Sequence, residues 1–161
     1  MISLTLAVLL ASAPSEWLDK REMLKCEAER LRTAYQTHLA RVDEPAEAVT
    51  IPLDTYEDGS VKMIIVAKKA QLFAREDFVL AWDLVIRKLD EKGVELSRVE
   101  AERCLVDRAT KSGWCDGPVR IANEKTTFTG ENVYFSSLEG YVMSLTKSKL
   151  VSTDMKLGGA L

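Results

Sequence analysis

Three cysteines, one histidine and a small cluster of carboxylates are the side chains of this 161-residue sequence with the most chemistry to explain. The single histidine, His38, excludes every triad that needs another one and most metal centres. No nucleophile is paired with a base elsewhere, so the residues argue against an enzyme and imply no cofactor. Asp54, Glu57 and Asp58 lack the loop spacing of a calcium site and read as a solvated acidic loop. Cys104 and Cys115 flank a turn at residues 108–111, in a register that sets them opposite each other. They are either two buried thiols or, in an oxidising compartment, a disulfide closing a loop of about ten residues. Cys26 is then left free or links two chains. The segment ENVYFSS at 131–137 looks like a protease tag site, but Ser136 stands where such a site needs glutamine.

Composition sets the frame for these residues. With 47% apolar and 29% charged residues the chain is that of an ordinary soluble domain. Its 22 basic and 25 acidic residues are interleaved, for a formal charge of -3. A nucleic-acid surface needs a basic block, and none is present.

Residues 2–13 (ISLTLAVLLASA) carry no charge, and Glu16, Asp19, Lys20 and Arg21 follow. Twelve helical residues reach only about 18 Å, short of a hydrocarbon core of about 30 Å. The run ends in Ala11-Ser12-Ala13, the A-x-A form of a secretory signal, so residues 1–13 predict export to the periplasm. No basic residue precedes the run; a start further upstream would make it longer and an inner-membrane anchor.

Residues 14–44 predict one amphipathic helix. Leu24, Ala28, Leu31, Tyr35, His38 and Val42 recur at steps of three and four and draw a single stripe. Ser15 caps its start, and Pro45 ends it by forcing Glu44 out of helical angles. The stripe fits the domain's own sheet, a second copy or a partner, and His38 at its edge reads as a partly covered helix histidine. Residues 45–60 are rich in acid and proline and predict a linker, with one edge strand at 49–53.

From residue 61 to 157 the chain changes character. Short segments rich in β-branched and aromatic residues alternate with turn signals at 75–77, 90–93, 111–113 and 137–140. That pattern predicts antiparallel hairpins. The stretch also repeats itself: AKKAQL from Ala67, AERCLV from Ala101 and GENVYF from Gly130 share the form small, two polar, apolar, any, apolar, at offsets of 34 and 29 residues. A repeat of this length with two strands per unit predicts stacked hairpins. The step of three inside each copy breaks strict alternation, which predicts a bulge or bend at the small residue. Residues 158–161 form a tail.

This pattern resembles the lipopolysaccharide-transport bridge family, the OstA-like proteins LptA and LptC. The likeness rests on Ala67 and Ala70, Ala101 and Cys104, Asp107, Gly113, Gly117, Val119, Ile121, Gly130 and Val133, and it covers residues 61–157. It implies a mainly β, antiparallel, repeat-built β-jellyroll, bent like a taco, behind the one helix. It further implies a non-enzymatic protein of outer-membrane biogenesis that cradles the acyl chains of a glycolipid and joins other bridge proteins, or its own copies, edge to edge.

The strands fit that expectation. Residues 63–66 and 78–82 are apolar on more than one face, whereas a sheet with a wet outer face needs only alternate positions apolar. The inner, lipid-facing row is assigned to Leu72, Leu80, Trp82, Leu84, Ile86, Val94, Leu96, Cys104, Val106, Val119, Ile121, Val133 and Phe135. An ordinary closed sandwich core accounts for the same residues from patterning alone. Edge contacts are assigned to Ile64 and Val66 on one side and to Leu150 and Ser152 on the other, since an unpaired strand accepts another chain's strand. The second reading is a periplasmic scaffold whose helix and sheet edge bind proteins without lipid.

Overall fold

The computed structural model describes residues 15–137, 141–144 and 148–152. The signal segment at 1–13, residues 153–157 and the tail at 158–161 lie outside the described residues. Helix α1 (Ser15–Leu39) precedes strands β1 (Ala46–Thr55), β2 (Val61–Phe73), β3 (Phe78–Leu89), β4 (Glu95–Asp107), β5 (Ser112–Asn123), β6 (Thr126–Ser136), β7 (Tyr141–Ser144) and β8 (Ser148–Ser152). All pair antiparallel, each with the next, up to β7. Strands β7 and β8 share one partner: β7 lies along 133–136 of β6 and β8 along 126–130. The hairpin-built, mainly β architecture behind one helix is therefore the one the sequence predicts.

The repeat is a fold line. Cross-strand partners form one row through Val49, Ala67, Leu84, Ala101, Val119 and Gly130, and a second through Ala46, Ala70, Ala81, Cys104, Cys115 and Val133. Three residues separate the rows in β2, β4 and β6, an odd step that in a regular strand would put the two on opposite faces. Between the rows the backbone turns left-handed at Ala48, Asp83, Gly117 and Asn132, with φ of 52°, 49°, 82° and 55°. Both rows nonetheless feed one buried cluster that includes Ala67, Ala70, Cys104, Val119 and Val133. The small residue of each motif marks where the strand bends. Phe135, beyond the line, faces the same space as Met63 and Ile86 before it.

Strand β1 occupies most of the stretch expected as a linker. It pairs with β2 through Thr50↔Val66 and Pro52↔Ile64. Ile64 and Val66 thus sit in an interior strand with neighbours on both sides, which corrects their assignment as edge contacts. The prolines and acids that read as a linker are the residues an edge strand tolerates, because Pro52 has no N–H to offer and charges discourage stray pairing. Leu150 and Ser152 do belong to an edge, since β8 pairs with β6 alone among the described residues.

Helix α1 lays its stripe on the outer face of the sheet, below the fold line. Ala28, Leu31 and Tyr35 are buried against Phe73, Phe78, Leu80, Leu105, Trp114 and Tyr134, with Leu24 and Val42 partly covered. Polar clamps fix the docking. Arg30 meets the buried Asp107 at 3.0 Å, and Arg41 donates to Glu76 at 2.8 Å. Asp107 also accepts from the backbone N–H of Ala109 and Thr110, so one carboxylate holds both the β4–β5 turn and the helix. His38 is buried, its Nδ1 2.7 Å from the Ala34 carbonyl and its ring edge-on to Phe73 and Phe78. Of the fates open to the stripe, the structure shows docking on the chain's own sheet.

Tyr35 donates its hydroxyl to Asp116 at 3.2 Å. Burial, with the Asp116 charge second, pushes its pKa up to about 12 from 10.0. A tyrosine held neutral by folding stabilises the fold fully below pH 10 and ceases to do so as pH rises toward 12. Denaturant titrations between these values are expected to show falling stability, with the slope reduced by at most about one proton in Tyr35→Phe. An unchanged slope in the variant would place the alkaline transition elsewhere.

Candidate functional site

The inner face is built by alternation on either side of the fold line. Below it, Val79, Ala81, Cys104, Val106, Cys115, Val133 and Phe135 point inward; above it, Leu53, Met63, Ile65, Leu84, Ile86 and Val119 do, with Val99, Ile121 and Phe128 partly buried beside them. Cys104 and Cys115 lie directly opposite, their Cα atoms 4.1 Å apart, joined as a disulfide within this cluster. Gly113 is on the same row, and a Cβ there would come within 2.6 Å of the Phe135 ring. The absent side chain makes room for that ring to lie across the strand.

Eight of the thirteen positions assigned to the inner face lie there: Leu84, Ile86, Cys104, Val106, Val119, Ile121, Val133 and Phe135. Leu80 and Trp82 face the helix instead, because the left-handed Asp83 reverses parity between them and Leu84. Leu96 is exposed beside Arg98 and Arg120, and Val94 belongs to the β3–β4 turn with 58% of its surface free. Leu72 is a different case. It pairs with inward-facing Val79, yet it stands 49% exposed. Its row runs on through Val79, Val106, Gly113 and Phe135 to Val142, which is 41% exposed. The apolar row is therefore buried in the middle and bare at both flanks of the sheet.

Between the two halves of the bent sheet the inner face opens into a cleft of about 580 Å³, lined by Met63 and Ile86 above the fold line and by Phe135 and Val142 below it. Met63, Ile86, Val99, Ile121, Phe128 and Phe135 form its apolar wall. Lys88, Ser97, Asn123 and Thr126 also line it, and of these Asn123 caps the β5–β6 turn through the N–H groups of Lys125 and Thr126. Its volume falls within the roughly 300–1,000 Å³ of small-molecule sites. Met63, Lys88, Val99, Phe128 and Val142 were not singled out by sequence reasoning. Period-two alternation counted outward from each bend would have found the inner-row members.

The outer face above the fold line has the opposite character. Arg87, Glu95, Arg98, Glu100 and Arg120 form a chain of ion pairs at 2.9, 3.0, 3.3 and 3.7 Å. Hydrogen bonds from Arg87 hold the Glu95 carboxyl below its ordinary range, with Arg98 adding to the effect. That side of the upper sheet is predominantly charged, although Val66 and Leu96 are exposed there. Among the described residues no histidine, cysteine and carboxylate cluster could hold a metal ion, and no helix is long and apolar enough to cross a membrane.

A family model, "Lipopolysaccharide-assembly, LptC-related", matches residues 26–139, more than half of the chain. The chain belongs to the LptC-related family. The match runs from the docked part of α1 through β6, so it spans both the inner cluster and the cleft. The resemblance drawn from the repeat is thereby shown. Membership gives this LptC-related chain a role in lipopolysaccharide transport in the cell envelope, within a family of transport proteins and not of enzymes. No individual curated protein matches the chain.

Proposed function

We propose that this LptC-related protein holds acyl chains of lipopolysaccharide in the inner-face cleft and passes them to neighbouring bridge proteins across its sheet edges, in the periplasm. The observation that carries the reading is the cleft itself, an apolar wall in which Val99, Ile121 and Phe128 are only partly covered by the described residues. Each buried methylene contributes about 0.8 kcal/mol. A carrier that sealed several long chains would never release them, and a cleft open at one end covers them only in part. The bare ends of the row at Leu72 and Val142 support passage sideways, toward the flanks where β1 and β7 offer unpaired backbone groups. A disulfide in the inner cluster accords with an oxidising compartment.

The fully buried middle of the inner face, at Ile65, Val79, Cys104 and Val106, favours the second reading, a scaffold that binds proteins without lipid. A photo-crosslinking residue separates the two. Placed at Ile121 or Phe128 in the cleft it is expected to capture lipopolysaccharide, and at Arg120 on the outer face it is not. Folded protein that forms no adduct at either cleft position leaves the scaffold.

A further inference from the structure

Lys88 is the one charged side chain among the described residues that line the cleft. It continues the inward alternation of Leu84 and Ile86, and its row runs through Met63, Lys88, Ser97 and Asn123. It is only partly exposed. The neighbouring cations on the outer side, Arg87 and Arg98, are paired with Glu95, but Lys88 has no ion-pair partner among the described residues. The described residues of the cleft contribute no carboxylate to answer it. A lysine there can lay its stem along the apolar wall while its charge stays at the cleft's polar rim. A lysine is also a point-charge binder of phosphate.

We infer that Lys88 binds an oxyanion on the headgroup of the amphiphile in this cleft, with Ser97 and Asn123 on the same row beside it. The inference rests on the lipid reading above and adds to it the residue that reads the headgroup's charge. Tails against Ile86, Ile121 and Phe128 would place the head at the row where the wall turns polar. Arginine at position 88 preserves the charge; glutamine keeps the length of most of the stem and removes it.

Calorimetric titration of the full chain with monomeric dodecyl phosphate, dodecyl maltoside and inorganic phosphate tests this. Dodecyl phosphate is expected to bind at least about tenfold more tightly than dodecyl maltoside, a step of about 1.4 kcal/mol. Lys88→Gln is expected to erase that preference, and Lys88→Arg to retain it. Inorganic phosphate alone is expected to give no measurable binding. Equal binding of both amphiphiles, or a preference that survives in Lys88→Gln, overturns the role of Lys88 and leaves the lipid cleft standing. Tight binding of inorganic phosphate without preference for the tailed form overturns the amphiphile as its source. Failure of both amphiphiles to bind overturns the cleft and the inference together.

Discussion

Replacing Leu31 with alanine is expected to lower the unfolding free energy by about 3–5 kcal/mol, the range for deleting a fully buried leucine. Leu31 is completely covered between α1 and the aromatic surface of Phe78, Leu105 and Trp114. The transfer loss of the side chain adds to the cost of a void that a helix held at several polar points cannot close. Arg30 to Asp107, Tyr35 to Asp116 and Arg41 to Glu76 pin the helix on either side of the gap. The same substitution at Met23, on the same helix but 63% exposed, is expected to change stability by less than about 0.5 kcal/mol. Urea unfolding followed by tryptophan fluorescence reads both. Equal effects at the two positions would mean that the helix is not docked in solution.

Removing the covalent link between β4 and β5 has the next largest effect. The loop closed by Cys104 and Cys115 spans a sequence separation of 11, which places the contribution of the bond near 3 kcal/mol on chain-entropy grounds. The Cys104→Ala, Cys115→Ala double variant is expected to unfold at correspondingly lower urea in the absence of reductant. Adding reductant should shift the wild type toward the variant and leave the variant unmoved. A wild type that reductant does not shift, with both thiols then free to titrate in denaturant, would show that the cysteines are not joined.

Much of the architecture could be read from residue types because it depends on local chemistry. The helix stripe, the turns at Asp90 and Gly93 and the step of three in AKKAQL, AERCLV and GENVYF are patterns of a few adjacent positions. The face on which a residue lies is different. Leu80, Trp82, Leu84 and Ile86 form an unbroken alternation in the sequence, and only the left-handed backbone at Asp83 divides them between the helix side and the inner side. Aspartate tolerates that conformation but does not announce it. Strand β1 escaped for a related reason: Pro52, Glu47 and Asp54 are poor strand formers held in place by long-range pairing to β2. Lys88 drew no notice because a lysine near a turn is ordinary until its neighbours across three strands are known.

The left-handed breaks in β1, β3, β5 and β6 stand at one level across the sheet. A residue gained or lost inside any strand would throw one of its halves out of phase with both neighbours. Inserting or excising a complete strand pair leaves the remaining phases intact. A sheet of this kind can change its width one hairpin at a time without moving its bend.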